Sequence, residues 1–88
     1  MQEEGITGGQ IRATRGALNW SVQELARRTG IGTATIVRYE MVRGVPKSRK
    51  GNLETIKSAL EAAGIEFIGT PDDAPGIRIH LPKSGETE

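Results

Sequence analysis

Eighty-eight residues, 35% of them apolar and 26% charged, make one small domain, near the size at which a single core must carry the fold. There is no cysteine, which excludes disulfide staples and thiolate metal sites, and His80 is the sole histidine. The net charge is only +1, and no apolar run approaches the ~20 residues that span a membrane.

That small net charge hides an asymmetry. Residues 7–50 hold nine Lys/Arg against two Glu, or +7. Residues 51–88 hold three Lys/Arg against seven acidic residues, or −4, and residues 1–6 add −2. A basic half of this kind suits a phosphate-binding surface; a merely solvated charged face has the same composition.

In chain order, residues 1–6 carry Glu3 and Glu4 and no basic stretch, unlike a signal peptide, and read as a flexible arm. Thr7 with Gln10 three places on makes a capping box and predicts a helix from about Gly8 to Leu18. Ile11, Ala17 and Leu18 are its core-facing residues, with Arg12 and Arg15 beside them. Asn19 breaks it. Trp20 reads as an apolar plug between helices rather than a ligand platform.

Residues 21–40, SVQELARRTGIGTATIVRYE, read as two short helices separated by a tight turn. Ser21 and Glu24 form a second capping box, and Val22, Leu25 and Ala26 make an apolar stripe at helical spacing. Gly30 suits a left-handed residue that ends the first helix. The second begins at Gly32 or Thr33 and carries Ile36, Tyr39 and Glu40 at spacings of three and four. The small residues Ala26 and Gly30 would let the two helices cross closely. This is a helix-turn-helix arrangement, whose use is to lay the second helix in the major groove of DNA.

Residues 41–51 form a loop punctuated by Gly44, Pro46 and Gly51 and made basic by Arg43, Lys47, Arg49 and Lys50. It is either a plain linker or a set of contacts to a nucleic-acid backbone, and its place beside the motif favours the second. Asn52 is the expected cap of a further helix, in which Leu53, Ile56, Leu60 and Ala63 recur at helical spacing before Gly64 closes it. The period then changes to two. Residues 65–68 read as a strand, 70–76 as a turn and 77–81 as a second strand ended by Pro82, with 83–88 a disordered tail. The expected core is Ile11, Leu18, Trp20, Leu25, Ile31, Ile36, Ile56 and Leu60. Two strands are not a stable sheet by themselves. Ile65 and Phe67 share one face, as do Ile77, Ile79 and Leu81. These residues either cover the chain's own helices or form a dimer interface with a second copy, and the expectation is the dimer.

The chain resembles the Xre family, the phage-repressor-like (Cro/CI-type) helix-turn-helix regulators. The resemblance rests on Arg15, on Leu25-Ala26-Arg27-Arg28-Thr29-Gly30 and on Thr35-Ile36-Val37-Arg38-Tyr39-Glu40, and covers roughly residues 10–60. The ending LEAAGIEFI, a turn and GIRIHLP is similar to a bacterial subgroup. The resemblance implies a mainly α, lambda-repressor-like four-helix domain over residues 7–64, followed by a short two-stranded β element over 65–82. It implies that Arg15 and Glu40 form a structural ion pair, that Thr33, Ala34 and Arg38 face base edges, and that Thr35 lies at the rim of that face. Ser21, Gln23, Arg43, Lys47, Arg49 and Lys50 are the expected phosphate contacts. Three positions depart from the family: Val22 where glutamine is common, Gly32 where Ser or Thr caps the second motif helix, and Val42 where glycine is frequent.

The expectation is therefore a cytoplasmic, sequence-specific regulator that binds double-stranded DNA as a homodimer on a palindromic operator. The alternative is a protein-interaction module, such as an antitoxin subunit or a coactivator, that holds a protein partner. No cofactor, metal or membrane partner is expected, and no enzyme. His80 stands alone on an alternating strand, a surface or interface position with no nucleophile or ligand spacing around it.

Overall fold

Helix α1 (Gly8–Leu18) starts where Thr7 and Gln10 satisfy each other's orphan amides. Gln10 N–H donates to Thr7 Oγ1 at 3.0 Å, and Thr7 N–H donates to Gln10 Oε1 at 2.8 Å. Asn19 ends the helix in the left-handed region. Helix α2 (Val22–Thr29) starts at Ser21, whose hydroxyl accepts from Glu24 N–H at 3.0 Å. The reciprocal half of the expected capping box is missing, because the Glu24 carboxylate turns instead to Arg27 and Arg28, 2.6 Å from each. Gly30, at φ 79°, ends α2 as expected. Its smallness does not serve a close helix crossing, since a Cβ there would meet nothing within 4 Å. The requirement at Gly30 is the positive φ.

Helix α3 (Thr33–Glu40) begins after Gly32, which offers no side-chain cap, and α4 (Asn52–Ala62) begins after Gly51. Asn52 is thus the first residue of α4 rather than its cap. Its amide donates to Tyr39 Oη at 3.1 Å, which ties the start of α4 to α3.

The close approach in this fold is elsewhere. Gly8 packs its bare Cα against the end of α3, where a Cβ would run into the carbonyl oxygens of Tyr39 and Val42. Its N–H donates to Gly44 O at 3.1 Å.

The computed structural model describes residues 5–49 and 51–80. Most of the expected arm, Lys50, Leu81 and the expected tail lie outside the described residues. The described residues make these four helices and one antiparallel hairpin, β1 (Ile65–Thr70) and β2 (Asp73–Ile79), a mainly α fold with a short C-terminal β element. The strands are longer than their periodicity shows. Only Pro71 and Asp72 separate them, and β2 runs through the Pro/Gly-rich stretch that reads as turn. An irregularity between Ile68 and Thr70 makes this possible. Three steps along β2, from Gly76 to Asp73, match two along β1, so Ala74 and Pro75 bulge where no ladder N–H is required.

The register pairs Ile65 with Ile79 and Phe67 with Ile77, which puts all four on one face. That face lies on the chain's own helices: β1 packs on α4 and β2 on α1. Ile65 is buried, and Phe67 and Ile77 pack against the core. Of the residues expected at a dimer interface, Ile65 is taken into the chain's own core, while Phe67 and Ile77 are half-buried against it. Ile79, at the strand end, stays 46% exposed. Gln10 Nε2 also donates to Gly76 O at 2.9 Å, fastening β2 to α1.

The core joins Ile11, Leu25, Ile31, Ile36, Tyr39, Leu53, Ile56, Leu60 and Ile65. It also takes Ile6, expected in the arm but only 2% exposed. Leu18 and Trp20, expected in the core, are only half-buried at its margin. Trp20 is covered by Arg28, whose Cζ lies 4.2 Å from the ring centroid.

Leu25 and Ile36 are wholly buried, and replacing either by alanine is expected to cost about 2–5 kcal/mol in urea unfolding. Gly8→Ala, which adds one methyl group against two fixed carbonyls, is expected to cost about 1–3 kcal/mol in the same measurement.

Candidate functional site

Helix α3 has two sides of opposite character. Ile36, Tyr39 and Glu40 are buried, while Thr33, Ala34, Val37 and Arg38 are exposed, and Thr35 lies half-buried between the two. The helix period dictates this, because Ile36, Tyr39 and Glu40 stand at i, i+3 and i+4. The residues expected to face base edges therefore share one open surface.

The orientation of α3 is fixed from beneath. Arg15 of α1 meets Glu40 in a two-pronged pair, Nε to Oε2 at 2.7 Å and Nη2 to Oε1 at 2.8 Å. Its third nitrogen, Nη1, donates to Trp20 O at 2.9 Å. One guanidinium thus fastens α1, the connection into α2 and the end of α3. Hydrogen bonding to Glu40 raises the Arg15 pKa above its ordinary value. Arg12 adds a bond from Nη1 to Glu40 O at 3.0 Å. The side chain of Glu40 is only 8% exposed, so the pair is desolvated on the acidic side.

Beside the open face of α3 lies a basic pocket lined by Thr35, Arg38, Tyr39, Lys47, Ser48, Arg49 and Asn52. Its floor is the Tyr39–Asn52 hydrogen bond. Among the described residues Arg38, Lys47 and Arg49 form no pair with a carboxylate. Arg27 and Arg28 differ, since both are engaged by Glu24. Hydrogen bonds from Arg27, then Arg28, hold the Glu24 carboxyl below the usual carboxylate range. Three cations without carboxylate partners thus meet at the pocket.

The structure brings together Thr33, Ala34 and Arg38 on the open face, and Thr35, Lys47 and Arg49 around the adjoining pocket. Ser21 and Gln23 are exposed at the start of α2. The Ser21 hydroxyl is occupied by Glu24 N–H, which leaves the Val22 and Gln23 amides as first-turn donors without a helical acceptor. Arg43 stands apart. It lines a separate groove with Thr7, Gln10, Ala13 and Gly76, because the chain turns away after Val42 toward α1 and the hairpin. Asn52 has no expected place in the site, and only its contact with Tyr39 brings it there.

On the outer face of the hairpin Glu66 lies 2.7 Å from His80 Nε2 and 3.4 Å from Arg78 Nη1. The hydrogen bond from His80, followed by the Arg78 charge, lowers the Glu66 pKa. All three side chains are exposed, and no part of the α3 face or its pocket involves them.

Residues 11–46, from within α1 to the buried Pro46, match the model of the helix-turn-helix family, of the Cro/CI, Xre-like type. No curated protein matches the chain. No helix of the described residues is long and apolar enough to cross a membrane.

Arg15→Ala leaves a desolvated carboxylate without its partner and is expected to cost about 3 kcal/mol or more in urea unfolding. Arg27→Ala, at a pair on the exposed surface of α2, is expected to cost under about 1 kcal/mol.

Proposed function

We propose, from this helix-turn-helix domain of the Cro/CI, Xre-like type, that the chain is a sequence-specific regulator that lays α3 in the major groove of double-stranded DNA. The observation that carries the proposal is the adjacency of an exposed helix face to a pocket of cations without carboxylate partners. Thr33, Ala34 and Arg38 are the base-reading residues in this reading, with Arg38 directed at guanine O6 and N7. Lys47, Arg49 and Thr35 hold one stretch of phosphates, and the first-turn amides of α2 near Ser21, with Gln23, hold another. Lys50 keeps its assignment to phosphate from the sequence alone. Arg43, which faces the groove beside α1, is left out of the phosphate set.

The finer reading is a homodimer on a palindromic site, which sets two α3 helices about 34 Å apart. The contact proposed is through the C-terminal strands, along the outer edge of β2 and what the hairpin's apolar face leaves exposed. The bond from His80 N–H to Gly64 O sets the ladder, and the backbone groups of Ile77 and Ile79 consequently point away from β1. A second copy of the same edge would satisfy them and cover Ile79. A protein-partner reading, as in an antitoxin subunit or coactivator, draws on a single feature, Met41, which is 78% exposed just past α3.

Selection of bound duplexes from a random pool is expected to return a palindromic consensus, and the absence of any consensus would sink the proposal. Lys47→Ala and Arg49→Ala should weaken binding to all sequences alike, each lowering the slope of log affinity against log salt by about one unit. Arg38→Ala should instead lose about 1–3 kcal/mol of discrimination at one position per half-site. Sedimentation at tens of micromolar should show a dimer, and a monomer there would remove the β2 edge from the reading.

A further inference from the structure

The exposed face of α3 has an apolar centre. With about 100° between successive residues, Val37 falls about 40° from Thr33 and about 60° from Ala34, between the two, with Arg38 at the edge. Met41, directly after the helix, falls on the same side. Val37 is 45% exposed and Met41 78%, although the buried side of α3 is already filled by Ile36 and Tyr39. Ala34, Val37 and Met41 thus make a continuous strip, and cations flank it where Arg38 turns toward Lys47 and Arg49.

A single exposed apolar residue is ordinary. An apolar strip at the centre of a base-reading face restricts what that face can read. Pressed against a guanine or adenine edge, it would strip water from acceptors and donors without replacing their hydrogen bonds. The one apolar group on the major-groove edge of a base pair is the C5-methyl of a pyrimidine. Val37 is β-branched, and in a helix its two methyl groups are held in essentially one rotamer, so little freedom is lost on contact.

We infer that Val37 is a specificity-determining residue, and that the centre of α3 reads a pyrimidine C5-methyl group beside the base pair contacted by Arg38. The inference rests on the DNA-binding reading above. Thymine and 5-methylcytosine present the same methyl group, and the flanking cations favour nucleic acid over an apolar protein surface as the occupant of the strip.

The test uses the full chain and the duplex selected from the random pool. Each thymine of the half-site is replaced by uracil, which deletes only the methyl group, and separately by cytosine and by 5-methylcytosine. For the unaltered chain one thymine-to-uracil change should weaken binding about fourfold, the worth of one buried methyl group. 5-Methylcytosine should recover affinity that cytosine loses. In Val37→Ala, an exposed change that leaves the core intact, and in Val37→Thr, the same uracil change should cost less than twofold. Arg38→Ala should keep the fourfold effect. A consensus without a pyrimidine at that position, no uracil effect, or an equal effect in both Val37 variants would overturn the role of Val37 while leaving DNA binding intact. Failure to select any sequence would overturn the DNA reading itself. If Val37→Ala leaves both consensus and uracil sensitivity unchanged, the strip serves a protein partner instead.

Discussion

The Arg15 guanidinium is the constraint on which the presentation of α3 depends. Its three nitrogens meet both carboxylate oxygens of Glu40 and the backbone carbonyl of Trp20, so that with α1 itself three parts of the chain are joined. A planar fork can satisfy all three only in a narrow range of helix orientations. Burial of Ile36 and Tyr39 attracts α3 to the core, but apolar contact has no direction. The ion pair supplies the direction. It also accounts for a carboxylate at the end of the helix, where the macrodipole disfavours negative charge.

Around that anchor, small contacts fix what surrounds α3. Gly8 lets the first turn of α1 come within backbone contact of Tyr39 and Val42, which seats the exit of α3. The Asn52–Tyr39 hydrogen bond seats the start of α4, and with it the loop that carries Lys47 and Arg49. Both contacts are short and polar or steric, and neither adds much buried area. Their effect is to place cations from a loop next to a helix face, which loop composition alone cannot do.

Charge is organised by neutralisation as much as by accumulation. The two glutamates of residues 7–50 are both used. Glu40 holds Arg15, and Glu24 holds Arg27 and Arg28. Arg38, Lys47 and Arg49 keep their charge beside α3 and the following loop, where a polyanion could approach. The hairpin, in contrast, packs its apolar face against α1 and α4 and keeps its Glu66, Arg78 and His80 on the outer surface.

Local chemistry made much of this legible from sequence. The Thr7–Gln10 box, Gly30, and the three- and four-residue spacings in α2, α3 and α4 are short-range signals, and the structure places those helices accordingly. The matched helix-turn-helix segment is carried by the same local pattern. Other features were set by contacts between distant residues, for which period and composition carry no signal. Ile6 looked like part of an arm because burial depends on what covers a residue, and α4 and the hairpin lie far away in sequence. Glu24 could serve a cap or a pair of arginines, and only the folded geometry chose the arginines. The stretch of Pro, Asp and Gly before Ile77 has turn composition, yet a bulge lets a strand pass through it. Alternation in residues 65–81 revealed an apolar face but not its partner, because an apolar face is satisfied equally by a second chain or by the chain's own helices. Tertiary packing seats Ile65 on the chain's own helices, separates Arg43 from Lys47 and Arg49, and leaves Val37 standing at the centre of the exposed face.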